Sequence, residues 1–144
     1  MHRNIPSSLE NPMTRAMLLI MLFLAQTIWG ALPLVRPSAD GTCFVEEPGG
    51  KKFEAFGFNY DHDSSGRLIE QYWEKEWGKV VEDFKEMKLL GARVVRIHLQ
   101  FGSFMLSPSK ISGESLLKLR DLLRLSESMG IYLDITGLGC YQQE

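Results

Sequence analysis

The sequence is poor in the features that mark several classes of protein. Its 144 residues include two cysteines and three histidines, and 16 basic residues against 18 acidic ones give a formal net charge of −2. No block of lysine or arginine breaks this balance, so a nucleic-acid partner has no support. Cys43 and Cys140 could pair with each other or with other partners, or be unrelated thiols. Two cysteines this far apart define neither a disulfide framework nor a metal site.

Long apolar runs are also scarce, and the single one lies near the N-terminus. It extends from Ala16 to Val35, and two arginines precede it. Basic residues followed by an apolar run are typical of a secretory signal peptide, which we predict within residues 1–31. An uncleaved membrane anchor is the alternative, because about 20 residues can span a bilayer, although Gln26 and Pro33 weaken it. In both cases we expect the rest of the chain to work outside the cytoplasm.

Beyond a predicted linker at residues 32–40, two segments have apolar residues at helical spacing. From Trp77 to Leu90 they recur at steps of three and four, which indicates one buried stripe, and Gly91 follows as a helix stop. Ser115 to Met129 repeats this pattern, and Gly130 ends it. The sequence therefore predicts two amphipathic helices.

Short β-prone runs surround these helices. A hairpin is predicted around residues 48–50, a strand at 55–60, and two further strands at 93–99 and 131–136. Strand and helix alternate with a period of about 38 residues, which indicates an α/β protein with parallel strands. Three parallel strands cannot close a barrel. We therefore expect the front of a larger protein, and eight such steps would need about 300 residues, the size of a (β/α)8 barrel.

The strand that begins at Arg93 carries polar side chains on one face. Arg96, His98 and Gln100 alternate with apolar residues, and a period of two places all three on the same side. A cation, an imidazole and an amide are costly to bury without partners. We therefore expect the carboxyl end of this strand to deliver polar groups into a site.

Three phrases of the sequence carry a family resemblance. They are Gly57 to Tyr60 (GFNY), Gly91 to His98 (GARVVRIH) and Tyr132 to Gly137 (YLDITG). In this order they resemble the first three β/α units of glycoside hydrolase family 5, which includes cellulases and mannanases, over about residues 38–144. The resemblance implies that residues 41–144 are part of a (β/α)8 barrel. Together with the predicted export segment, it also implies an exported enzyme that hydrolyses O-glycosidic bonds in β-linked polysaccharide or oligosaccharide, without a cofactor or a metal.

The resemblance further implies a retaining mechanism with two glutamates. One follows an asparagine at the end of the fourth strand and is the acid/base, and the other ends the seventh strand and is the nucleophile. Neither position is in these residues, so the resemblance implies no catalytic residue here and an inactive stretch when alone. Arg96 does carry over, because the family's arginine on this strand holds the nucleophile ionised and oriented. A fixed cation lowers the pKa of a neighbouring carboxyl group.

Four further residues are predicted to contact the substrate. Asn59 and Tyr60 end the first strand, and His98 shares the face of Arg96; loop support or a structural role is the alternative for each. Thr136 stands where the family commonly has a histidine in a D-x-H-G phrase, which leaves the substrate open. Two alternatives to a family 5 hydrolase stay open: a glycan-binding or degenerate barrel that does not cleave, and a barrel enzyme of different chemistry.

Two other groups of side chains are weaker candidates. Residues 61–63 are an aspartate, a histidine and an aspartate, but their contiguous spacing suits no standard metal site and favours a solvated loop. Tyr72 and Trp73 could stack on sugar rings. Trp77 lies on the helical stripe and is assigned to the core.

Overall fold

The computed structural model describes residues 31–139, in which strands and helices alternate along much of the chain. The described strands are β1 Leu34–Pro37, β2 Phe44–Glu47, β3 Lys51–Phe53, β4 Gly57–Asn59, β5 Val94–Gln100, β6 Met105–Ser107, β7 Lys110–Ile111 and β8 Tyr132–Gly139. The described helices are α1 Ile69–Tyr72, α2 Trp77–Leu89, α3 Phe101–Phe104 and α4 Gly113–Ser128. The predicted mixed α/β class is confirmed, and the sheets of residues 31–139 are small and do not close into a barrel.

A parallel sheet of three strands, in the order β4–β5–β8, is the centre of the fold. Phe58 pairs with Val95, and Val95 pairs with Leu133, so the sequence repeat is also a structural one. Gly57 allows β4 to approach β5 closely, because a Cβ atom there would lie 1.6 Å from the carbonyl oxygen of Val94. The connections between the strands contain α2 and α4, as parallel pairing requires.

The core lies between one face of this sheet and the helices. Val95, Ile97 and Leu99 of β5 are buried there. Burying a side chain of this size contributes about 1.5–3 kcal/mol. The helices and the segment before β8 contribute further buried apolar residues: Val80, Phe84, Met87, Leu122 and Ile131.

The helix ends agree with their sequence signals. Gly91 and Gly130 have φ angles of +92° and +68°, a left-handed conformation that favours glycine after a helix. At the start of α4 the side chain of Ser112 accepts a hydrogen bond from the backbone N–H of Ser115 at 3.2 Å. Both helices end within one residue of the predicted positions, and α4 begins two residues before the predicted Ser115.

An antiparallel sheet in the order β1–β2–β3 packs at the amino-terminal end of the parallel strands. The Phe53 ring meets the Tyr132 ring edge-on, with centroids 5.0 Å apart. The guanidinium of Arg93 lies over Phe53 and pairs with Glu46. The hydroxyl of Tyr132 donates to the carbonyl oxygen of Pro33 at 2.6 Å. Because Arg93 precedes β5 and Tyr132 begins β8, these contacts leave the carboxyl ends of the strands open.

Several elements differ from the sequence prediction. β1 lies inside residues 32–40, which were predicted as a linker; it is a strand because it pairs along its length with β2. The segment between β5 and α4, for which no helix or strand is predicted from the sequence, contains α3 and the β6–β7 hairpin. The predicted signal peptide or anchor and Cys140 lie outside residues 31–139, apart from the last residues of the apolar run. Cys43 is half-buried and forms no disulfide with a described residue. Among residues 31–139 no helix combines the length and apolar composition needed to cross a membrane.

Candidate functional site

Polar side chains lie on the face of the parallel sheet that does not pack on the core. Asn59 of β4, Arg96 of β5 and Asp134 of β8 stand side by side in register, and His98 pairs with Thr136 one step closer to the carboxyl ends. We call these five residues the polar face. Side chains alternate between the two sides of a strand, so neighbours of these residues such as Val95, Ile97 and Leu133 point into the core. Four of the predicted site residues are thus brought together.

Arg96 is at the centre of the polar face. Its Nε donates to the hydroxyl of Thr136 at 3.0 Å and lies 3.9 Å from a carboxylate oxygen of Asp134. The side chain of Arg96 is 45% exposed and that of Asp134 is 62% exposed. The guanidinium is therefore oriented by the neighbouring strand and is still accessible to a further partner.

The loop after β4 adds charge at the edge of the polar face. The Asp61 carboxylate lies 2.9 Å from Nδ1 of His62. The pKa of Asp61 is lowered by the hydrogen bond with His62 and by the attraction of His62 and His98. The sequence interpretation assigned Asp61 and His62 to a solvated loop. Both residues directly follow a parallel strand, where the site residues of α/β sheets are commonly found. That position is the sequence signal that could have placed them near the polar face.

Tyr60 is not part of the polar face. Its side chain points to the core side of the sheet, where it is 9% exposed and its ring meets that of Phe84 edge-on. The hydroxyl donates to Asp83 at 2.6 Å and accepts from the hydroxyl of Tyr72 at 3.1 Å. Burial and the bond to Asp83 raise the pKa of Tyr60. The predicted contact between Tyr60 and the substrate stays a prediction.

The aromatic residues considered for sugar stacking are buried. Tyr72 is 1% exposed and Trp73 is 2% exposed, and the Trp73 ring packs edge-on against Phe104. Neither offers a ring face to a ligand in this structure. Phe101, the first residue of α3 at the carboxyl end of β5, is 46% exposed. Sequence reasoning passed over it because the alternation along β5 gave it no special signal.

The loop between β4 and α1 is held together by Arg67. Its guanidinium forms hydrogen bonds with Asp63 at 2.8 and 2.9 Å and with Glu76 at 2.6 and 3.0 Å. Asp63 also accepts backbone N–H groups of Ser65 and Arg67 and is buried, not solvated as predicted. Burial alone would raise the pKa of Asp63, but the bonds from Arg67 outweigh it and lower that pKa. In the described part of the chain no histidine, cysteine and carboxylate groups are arranged to hold a metal ion.

The polar face combines a cation, an imidazole, an amide, a hydroxyl and a carboxylate on one open surface. These groups supply the hydrogen-bond donors and acceptors that a polyhydroxylated ligand such as a sugar requires. Comparison of the chain with protein-family models and with curated proteins gave no match.

Proposed function

We propose that this chain forms the first three β/α units of a (β/α)8 barrel in an exported glycoside hydrolase that resembles family 5. The enzyme acts on β-linked polysaccharide or oligosaccharide. The three units supply substrate contacts through Asn59, His98 and Thr136 and a cation through Arg96. Both catalytic glutamates come from later strands. The single observation that carries this proposal is the polar face, since four of the five residues predicted to belong to the site lie on one surface.

The exposure of the polar face supports a barrel. Parallel sheets are almost always covered on both sides, and in residues 31–139 only one side of the β4–β5–β8 sheet is covered. Further parallel strands that curve round from β8 would turn the polar face inward. That placement would give the polar side chains the partners that burial requires.

The orientation of the sheet agrees with this function. Enzymes with this barrel bind their substrates at the carboxyl ends of the strands. The antiparallel sheet packs at the opposite, amino-terminal ends through Phe53 and Arg93. His98 and Thr136 lie nearer the carboxyl ends than Arg96, so a sugar that enters there would meet them first.

Arg96 has a chemical role in this proposal. A retaining enzyme keeps its nucleophile ionised while its acid/base carries a proton. A guanidinium a few ångströms from a carboxyl group stabilises the charged form and lowers its pKa. Thr136 holds the guanidinium by its Nε, which leaves the far end of the guanidinium for the nucleophile.

A glycan-binding protein without hydrolytic activity is the second candidate. This candidate is favoured because only one of the five residues of the polar face, Asp134, carries a carboxylate. Retaining hydrolysis requires two carboxyl groups about 5 Å apart. If the remaining strands supply none, the polar face would bind a glycan and leave it intact.

The test is hydrolysis by the whole protein of carboxymethylcellulose and galactomannan, followed as release of reducing sugar. We expect activity on at least one of the two, and Arg96→Ala lowers kcat by about 10²-fold because a fixed charge beside the nucleophile is lost. Arg96→Lys is the matched control, since it keeps the charge but not the planar geometry. It should recover part of the activity.

Retention of the whole protein on an immobilised glycan without release of reducing sugar would support the binding candidate instead. A protein that is not retained on the glycan and releases no reducing sugar would reject both functions. Activity that is unchanged in Arg96→Ala would reject the role of Arg96.

A further inference from the structure

A half-buried glutamate joins a short helix to the end of a strand at the carboxyl end of the parallel sheet. Glu70 lies on α1, in the connection after β4, and its Oε1 accepts a hydrogen bond from the backbone N–H of Gln100 at 2.8 Å. Gln100 is the last residue of β5 and is 6% exposed. The contact spans 30 residues and connects α1 to the strand that carries Arg96 and His98.

The end of β5 is irregular where this contact is made. The register between β5 and β8 shifts between His98 and Gln100, so that Gln100 pairs with Gly139. Between these two pairs β5 advances by two residues and β8 by three, so the extra residue lies in β8. Irregular pairing of this kind is common next to sites. At this irregular point the N–H of Gln100 is bonded to the carboxylate of Glu70. Glu70 therefore stabilises the end of β5 at the point where its pairing with β8 changes register.

The other oxygen of this carboxyl group indicates that the contact is more than packing. Glu70 Oε2 is buried and has no hydrogen-bond partner within residues 31–139. An unsatisfied buried oxygen on a carboxylate is unfavourable, and an apolar or amide side chain would avoid part of the penalty. A glutamate at this position opposes stability, which is common for residues that act in a site.

We propose that Glu70 is a positioning residue of the polar face. By holding the N–H of Gln100 it fixes the end of β5 and thereby the direction of the His98 side chain. This inference rests on the proposed function for what the polar face binds, a β-linked sugar chain. The hydrogen bond between Gln100 and Glu70 is independent of the proposed function.

The test compares Glu70→Ala with Glu70→Gln in the whole protein. The glutamine variant keeps an oxygen acceptor at the same reach, whereas the alanine variant has none. Glu74→Ala is the matched control, because Glu74 is a neighbouring glutamate whose side chain is 51% exposed and lies 3.9 Å from Lys118. The measurements are hydrogen exchange of the Gln100 amide, the ring resonances of His98, and affinity for cellohexaose.

In Glu70→Ala we expect faster exchange of the Gln100 amide, displaced His98 ring resonances and at least about a tenfold loss of affinity for cellohexaose. Glu70→Gln should resemble the natural protein in all three measurements, and Glu74→Ala should change none of them. A merely structural role would lower stability without moving the His98 resonances. His98 resonances at their natural positions in a folded Glu70→Ala protein would overturn the inference.

If Glu70→Ala does not fold, Glu70→Asp decides the matter, because it keeps the charge but is one methylene too short to reach Gln100. Displaced His98 resonances in that variant support the positioning role, and unchanged resonances overturn it. If the natural protein binds no cellohexaose, the proposed function loses support while the resonances still test the role of Glu70.

Discussion

Ile97 and Arg96 are neighbours on β5, and their side chains lie on opposite faces of the same sheet. Ile97 is fully buried against the core, whereas the side chain of Arg96 is 45% exposed on the polar face. The backbone of the strand is common to both, so the difference arises from alternation alone. The core face supplies the burial that stabilises the unit. The polar face contributes little burial, and its residues are therefore available for recognition and chemistry.

The most sensitive comparison is a pair of alanine substitutions at these adjacent positions. Ile97→Ala should lower the free energy of unfolding by about 2–5 kcal/mol, because it leaves a cavity beneath the helices. Arg96→Ala should lower it by less than about 1 kcal/mol, since an exposed arginine with a distant carboxylate stabilises little. Urea denaturation of the whole protein measures both, and equal losses would show that the two faces do not differ as described.

A smaller change in the free energy of unfolding is expected at acid pH, from the loop that joins β4 to α1. The pKa values of Asp63 and Glu76 are lowered; burial opposes this at Asp63, and the bonds from Arg67 dominate at both. Their contribution to stability is complete above their unfolded pKa values and is lost as the pH falls through the lowered folded values. Asp63→Asn should flatten the acid side of the stability profile between about pH 5 and pH 2. Parallel curves for variant and natural protein would contradict this.

Glu70 should show the opposite dependence on pH. Burial raises the pKa of Glu70, so its favourable contribution is present below the unfolded value and is lost as the pH rises through the folded one. Glu70→Gln should therefore gain stability relative to the natural protein between pH 4 and pH 8, which urea midpoints across that range would measure. A gain that is equal at both ends of the range would be inconsistent with the burial of a charge.

The smallest change in stability is expected at Thr136. Thr136→Val keeps a β-branched side chain and should alter the free energy of unfolding by no more than about 0.5 kcal/mol. It removes the acceptor that holds Nε of Arg96, so affinity for cellohexaose should fall while the urea midpoint stays. Thr136→Ser keeps the hydroxyl and serves as the control. A variant that loses stability but keeps its affinity would assign Thr136 to the core.

Elements with a strong period could be predicted from the sequence, and elements made by pairing could not. The helices α2 and α4 carry apolar residues at every third or fourth position and are followed by glycines. The sequence therefore predicted the first and last residues of both helices to within two positions. β1 has four residues and exists because β2 lies beside it, a fact that no local pattern contains. The same reason applies to β6 and β7.

The candidate site could be predicted in part. The alternation along β5 identified Arg96 and His98, because period two is visible in a single strand. The bond from Arg96 to Thr136 crosses 40 residues and depends on the register of two strands, which the sequence does not display. Tyr60 was assigned with Asn59 because both end the strand predicted at residues 55–60, yet adjacent residues of extended chain point to opposite sides.

The attachment of the N-terminal sheet has a consequence for the order of folding. The bond between Tyr132 and Pro33 joins residues 99 positions apart, whereas β1, β2 and β3 pair over short connections. Contacts between distant residues form slowly because a long loop must close first. We therefore expect the β1–β2–β3 meander to form early, and its docking to be complete only when Tyr132 of β8 is in place. The last step of folding would then take place at the end of the sheet away from the site.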